Sequence, residues 1–328
     1  MEITPEILSK LEQLEQKYTA MGQDMPSYLD GLLYSNVLNY WDYVKLDTLL
    51  SLQYPRTDFP DEVVFIIYHQ ITELYFRLIL TEQEQLRNDA SADLATWKKR
   101  LRRMITYLGN LSQSFDVMIE GMDPQQFLKF RMSLLPASGF QSAQYRMIEI
   151  ASTPLHNLVK VERRSQFKPE TPLVETYEAI YWKEGNLELK TGKKTLTLTQ
   201  FEKKYDQRLL SLAQELASSN IWVQYRELPQ ADQDDQQLKE MLREFDLYAN
   251  VFWPLSHYKS AVRYLQGDPE VIAATGGTNW QKFLPPRFQK VIFFPELWTE
   301  QEKDEWGKAW VLNLFKEKVE NQWGKLKH

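Results

Sequence analysis

The sequence contains no cysteine, only four histidines and only 12 glycines in 328 residues. The missing thiols exclude a disulfide framework, a thiolate zinc finger, an iron–sulfur cluster, a cysteine nucleophile and any thioether-attached prosthetic group. Any metal must be held by histidine or carboxylate. A basic excess is also lacking. With 45 acidic against 39 basic side chains the net charge is -6, which gives no general attraction to phosphate backbones, so nucleic acid is not expected as a partner. The local cluster Lys98-Lys99-Arg100 with Arg102-Arg103 reads as a solvated helix face. Met1 to Lys10 has acids where a signal peptide needs a basic and then an apolar region, and the longest purely aliphatic and aromatic stretch is Val63 to Tyr68. No membrane span and a cytoplasmic location are therefore the expectations. Nucleotide-binding glycine loops, a G-x-S-x-G nucleophile elbow and a three-histidine zinc spacing are absent as well.

What is present is helical periodicity, and the fold is expected to be all-α. Thr4 and Pro5 read as N-cap and first residue of a helix whose Ile7, Leu8, Leu11, Leu14 and Tyr18 form one apolar stripe. That stripe must pack either on the chain's own core or on a second subunit. A short helix is expected from Tyr40 to Gln53, a long one from about Pro60 to Asn88, another from Leu94 to about Glu120, and one opened by Asp123-Pro124 that reaches Leu135. Ser138 is expected to cap the next. Alternating Leu196-Thr197-Leu198-Thr199, after prolines 169 and 172 and a turn at Gly192, predicts a small antiparallel hairpin inserted at about 161–200. Helices resume at about Phe201 to Ser218 and Asp234 to Leu265, where Pro254 either kinks the helix or opens a new one, and a last amphipathic helix begins near Glu300. The organisation expected is one helical domain over 1–328, with an N-terminal helical arm 1–38.

Four segments could carry chemistry. Phe65 and His69 lie one turn apart and share a helix face; His69 is either a polar group at the edge of an apolar pocket or a satisfied core histidine. His257, in Trp253-Pro254-Leu255-Ser256-His257, is a lone imidazole in apolar surroundings, which suits an axial haem ligand but equally a core or cap histidine. His156 and His328 read as structural. Arg131 follows Phe127 by one turn, placing a guanidinium beside a ring, a pair suited to a ligand with a carboxylate and an aromatic group; a salt bridge is the alternative. Thr275-Gly276-Gly277-Thr278 makes a loop that could close over a ligand.

Taken together, these segments resemble the tryptophan 2,3-dioxygenase family. The likeness is carried by Tyr40-Trp41-Asp42-Tyr43 through Gln53, by Asp61 through Gln70 running into Glu73-Leu74, by Phe130-Arg131 through Pro136-Ala137-Ser138-Gly139-Phe140-Gln141-Ser142 and Gln144-Tyr145-Arg146, by Trp253 with His257, and by Thr275-Gly276-Gly277. They occur in the family's order from about residue 39 to 285.

The resemblance implies a multi-helix haem-binding bundle in which His257 is the proximal ligand of a non-covalent b-type haem, with Trp253 and Ser138 in the cofactor's pocket. His69 would be the distal residue facing the indole nitrogen, Arg131 would pair with the substrate carboxylate, and Phe65, Phe127, Tyr40 and Tyr43 would line the indole site. The tyrosines would come from a neighbouring subunit of a homotetramer, and Thr275 would close over the amino-acid end. The implied reaction inserts both atoms of O2 across the indole C2–C3 bond of L-tryptophan, giving N-formylkynurenine. Three departures stand out: Phe127 replaces the family's usual tyrosine, Asn279-Trp280 follow the glycine loop in place of small residues, and the expected hairpin between Tyr181 and Thr199 has no counterpart in the family. A related haem enzyme for another indole or phenol stays open as an alternative. So does a haem sensor or carrier, which needs His257 but not Arg131.

Overall fold

The computed structural model describes residues 3–34, 39–134, 139–168, 170–188, 191–265 and 285–307. Ser138, Thr275, Asn279, Trp280 and His328 lie outside them, as does the continuation of the last helix beyond Gly307. By compactness the chain divides into Met1–Gln53 and Tyr54–His328.

The N-terminal unit holds α1 (Pro5–Ala20), α2 (Met25–Tyr34), α3 (Tyr40–Val44) and α4 (Leu46–Leu50). Thr4 caps α1 by accepting from the Ile7 N–H, with Pro5 at the first position, as the sequence predicts. The expected Tyr40–Gln53 helix is two short pieces instead. Lys45, at φ 53° in the left-handed region, breaks it between α3 and α4. None of the described residues of this unit is buried.

The second unit continues with α5 (Asp61–Asn88), α6 (Leu94–Ser114), α7 (Asp116–Ile119), α8 (Pro124–Phe130), α9 (Ala143–Ser152), α10 (Leu155–Leu158), α11 (Leu173–Glu178), α12 (Tyr181–Glu184), α13 (Leu196–Leu216), α14 (Ile221–Glu227), α15 (Gln230–Gln233), α16 (Gln236–Leu247), α17 (Trp253–Leu265), α18 (Pro286–Gln289) and α19 (Glu300–Asp304). The core lies where α5, α6, α9, α13, α16 and α17 meet, around fully buried Phe76, Ile79, Leu101, Leu108, Leu209 and Phe245.

By length and apolar composition α5 is, among the described residues, a helix that could cross a membrane. Its polar side chains instead find protein partners. Glu82 pairs with Arg100 at 2.8 Å and Arg103 at 3.1 Å, and Gln83 donates to Ser152 Oγ at 2.9 Å. The basic cluster on α6, expected as a solvated face, is thus partly a set of crosslinks, with Lys98 also reaching Asp235.

The expected hairpin is not seen among the described residues. No strand occurs among the described residues; Leu187 and Lys194 form one isolated antiparallel bridge, and Leu196–Thr199 is the first turn of α13, capped by Thr195, which accepts from the Leu198 N–H. Four alternating residues cannot outweigh a cap followed by nearly six turns of amphipathic helix. Ser142 caps α9. Between α16 and α17 the chain stays helical but widens into a π-turn over Tyr248–Phe252, so Pro254 becomes the second residue of α17.

Candidate active site

Helix α5 brings Phe65 and His69 together on one face, their ring centroids 4.1 Å apart. His69 Nδ1 lies 2.7 Å from the Phe65 carbonyl oxygen. A carbonyl only accepts, so Nδ1 carries the proton and Nε2 is left as an acceptor. The ring is solvent-accessible, and desolvation by the protein atoms packed around it lowers its pKa. His69 is therefore neutral at pH 7.

Helix α17 presents His257. Its Nδ1 lies 3.3 Å from the Trp253 carbonyl, which fixes the same tautomer and leaves Nε2 as the available nitrogen. The ring stands edge-on to Trp253 at 4.4 Å and against Phe115 at 4.7 Å. Burial pushes its pKa down to about 4, and His69 adds to that effect. A chain of ring contacts links the two imidazoles, from His69 to Tyr68 at 6.4 Å, on to Phe115, and from Phe115 to His257. These rings belong to a continuous wall: Tyr68 packs on Phe115 at 5.5 Å, and Trp253 on Phe115 at 5.3 Å and Phe76 at 5.6 Å.

Arg131 enters from α8. Asp123 caps that helix by accepting from the Gln126 N–H at 2.9 Å, and Arg131 begins the 3-10 turn Arg131–Leu134 that follows. Phe127 packs on Tyr264 at 4.6 Å and Phe65 at 6.4 Å, tying this end of α8 to the His69 helix. Arg131 is half-buried, which lowers its pKa, but a guanidinium stays charged. The turn is held from behind. Arg56 donates to the Ser133 carbonyl at 2.7 Å, and buried Glu62 accepts the Arg56 and Thr57 N–H groups at 2.8 Å each.

The family model for tryptophan 2,3-dioxygenase matches residues 32–244, which include Phe65, His69, Phe127 and Arg131. A tryptophan 2,3-dioxygenase of Bradyrhizobium diazoefficiens is 31% identical over 270 residues, covering 81% of this chain and 92% of its own length. The chain belongs to the tryptophan 2,3-dioxygenase family. The Ruegeria pomeroyi tryptophan 2,3-dioxygenase is 30% identical over similar shares, 81% and 92%. The protein of that name from Anaeromyxobacter sp. is 44% identical over 125 residues, spanning 37% of this chain and 45% of that protein. Membership makes this chain an oxygenase-type enzyme, and it gives the histidine-bearing helices their context. His257 and Trp253 lie past the end of the family-model match, so the geometry above is the direct evidence that α17 meets α5.

Of the residues singled out in the sequence, Phe65, His69, Phe127, Arg131, Trp253 and His257 stand in one connected region of the second unit. Tyr40 and Tyr43 sit on α3 of the N-terminal unit, 72% and 76% exposed. Ser138 and Thr275 fall outside the described residues. Phe115, Tyr68 and Arg56 carry no signal of a role in the sequence, because Tyr68 meets Phe115 and Arg56 meets the Ser133 carbonyl only across long stretches of chain. A carboxylate trio of metal-binding dimensions, Glu178, Glu202 and Asp206, is also present. The buried Lys183 ammonium already fills it, 2.6 to 3.0 Å from all three.

Proposed function

We propose that this tryptophan 2,3-dioxygenase-family protein uses haem b and O2 to open the indole C2–C3 bond of L-tryptophan, forming N-formylkynurenine and starting breakdown through kynurenine. The observation that carries the reading is the His257 imidazole: neutral, with Nδ1 committed to Trp253 and Nε2 available, on an aromatic wall it shares with His69. One neutral nitrogen among rings is the donor set a non-covalent haem needs. His257 would ligate the iron, with Trp253 and Ser138 contributing to the pocket. Bound there, ferrous haem supplies the binding and redox chemistry of dioxygen.

The protein's own side chains orient the substrate. Phe65 and Phe127 offer apolar faces to the indole, and His69 Nε2, left as an acceptor, holds the indole N–H. Arg131 pairs with the carboxylate through its planar fork, and Thr275 closes over the amino-acid end. The aromatic lining keeps water from the reacting carbon atoms. Tyr40 and Tyr43 complete the site from a neighbouring copy. A homotetramer is supported by the N-terminal unit, which exposes Leu32, Leu33, Tyr34 and Leu50 and buries none of its described residues. A cytoplasmic location, with no membrane or nucleic-acid partner, belongs to the same reading.

Two substitutions separate these roles. His69→Ala keeps its haem and loses at most about tenfold in rate, since one neutral hydrogen bond contributes roughly 0.5 to 1.5 kcal/mol. Loss of the haem Soret band in that variant would show that the two histidines have been exchanged. Arg131→Ala weakens L-tryptophan binding by about 10- to 150-fold, the equivalent of roughly 1.5 to 3 kcal/mol for a charge-assisted pair. Tryptamine, which lacks the carboxylate, should be nearly indifferent to the change. Equal losses for both ligands in binding titrations would remove Arg131 from the carboxylate. A tryptamine preference in the wild type would favour a different substrate for the same haem enzyme.

A further inference from the structure

The helix that carries His257 does not continue α16 in phase. Over Tyr248–Phe252 the hydrogen bonding shifts to the π pattern, ending with the Trp253 N–H donating to the Tyr248 carbonyl. A π-turn holds one residue more than an α-turn, which rotates everything after it by about 100°. Without that extra residue the direction now taken by His257 would be taken by Ser256, which offers no ligand nitrogen.

A π-turn is intrinsically the poorer arrangement, so something must hold it. The next ladder bond cannot form, because Pro254 has no N–H to give. The Ala249 carbonyl that this would leave buried is taken by another group: the Tyr145 hydroxyl, reaching over from α9, donates to it at 2.7 Å. Tyr145 is itself fixed by ring contact with Phe76 at 5.2 Å, and Phe76 packs on Trp253. On the other side of the turn, Asn250 donates to Asp246 Oδ1 at 2.8 Å. The same carboxylate accepts the Phe293 N–H at 3.0 Å, the Phe294 N–H at 3.1 Å and the Trp298 indole N–H at 3.1 Å.

We infer that Tyr145, Asn250 and Asp246 are positioning residues for the iron ligand: they lock the Tyr248–Phe252 π-turn and so set the rotation at which α17 presents His257. The inference rests on His257 as the haem ligand. The contacts of Tyr145 are to the Phe76 ring, the Arg146 guanidinium and the Ala249 carbonyl. Tyr145 acts by filling the acceptor that Pro254 leaves open.

The test compares Tyr145→Phe with Tyr225→Phe in the full chain. Tyr225 also donates to a backbone carbonyl, that of Gln233 at 2.7 Å, but remote from the π-turn. Haem titration of the apoprotein should show roughly tenfold weaker binding for Tyr145→Phe, in the range expected when a metal ligand loses its outer support, with a mixed-ligation Soret band. Tyr225→Phe should bind like the wild type. Amide hydrogen exchange over residues 248–258 reads the same lock without haem, and should be at least about tenfold faster in Tyr145→Phe alone. Wild-type affinity and spectrum in Tyr145→Phe, or exchange equal to that of Tyr225→Phe, would overturn the inference. A wild-type protein that takes up no haem would instead overturn the proposed function, and the exchange result would still decide the role of the lock.

Discussion

His257→Ala, reconstituted with haem and passed through gel filtration, emerges without a stoichiometric Soret band and without dioxygenase activity. Loss of an outer-sphere partner costs a metal site roughly 10- to 100-fold in affinity, and loss of the only protein ligand costs more. His257 has no understudy. The other histidine of the proposed site, His69, is carried by a different helix, α5, with its Nδ1 committed to the Phe65 carbonyl, and the chain has no thiolate to substitute. Removing the imidazole also removes a ring packed on Trp253 and Phe115, so far-ultraviolet circular dichroism should accompany the titration. A folded His257→Ala protein that still retains haem with an unchanged spectrum would refute the assignment. Partial recovery of the band on adding free imidazole would support it, because the lost group is then returned without the chain.

Asp246→Ala destabilises the fold by about 3 to 5 kcal/mol. The carboxylate is completely buried and accepts from four donors, Asn250 Nδ2, the Phe293 and Phe294 N–H groups and the Trp298 indole. Each buried donor left without a partner costs roughly 1 to 3 kcal/mol, less when neighbours relax together. Set against a typical total of about 5 to 15 kcal/mol, this loss shows directly in urea unfolding. Burial pushes the Asp246 carboxyl up from 3.8 to about 6, against the pull of its donors. The folded chain thus holds that proton more tightly than the unfolded chain. The associated stability is fully present below pH 3.8 and is lost as pH rises through about 6. Between those values wild-type stability should fall relative to Asp246→Ala, whose curve lacks this component. A mutant within about 1 kcal/mol of wild type at pH 7, with a parallel pH curve, would contradict this role for the four bonds to Asp246.

The contrast between these two residues marks how far the sequence is legible. His257 is found by scarcity and by its place in a recognisable string, just as Thr4-Pro5 and Asp123-Pro124 announce helix starts through local capping chemistry that the structure repeats. Asp246 announces nothing. Three of its four donors come from a segment about fifty residues later, and a carboxylate in an amphipathic helix looks like any solvated one until that segment packs over it. The π-turn escapes for a similar reason, since its hold depends on Tyr145 from a distant helix. Lys45 splits an expected helix by adopting a left-handed backbone that no glycine or asparagine advertises. The misread hairpin has a different origin: Leu196-Thr197-Leu198-Thr199 satisfies a two-residue period, but Thr195 ahead of it is a helix cap. Within the site, the motif residues and their helices were readable, whereas the Arg56–Glu62 brace behind Arg131 and the Phe115 wall beside His257 were not.

If a neutral His257 and its aromatic wall form a haem site on which L-tryptophan binds beside His69, the spectrum of the protein must show it. The most direct measurement is the visible spectrum of the haem-reconstituted, reduced protein, recorded without and with L-tryptophan and then after admission of air. The expected result is a histidine-ligated Soret band, a shift of that band on adding L-tryptophan, and conversion of the amino acid to N-formylkynurenine once oxygen enters. A protein that holds no haem, or a haem spectrum indifferent to L-tryptophan with no product formed, would contradict it.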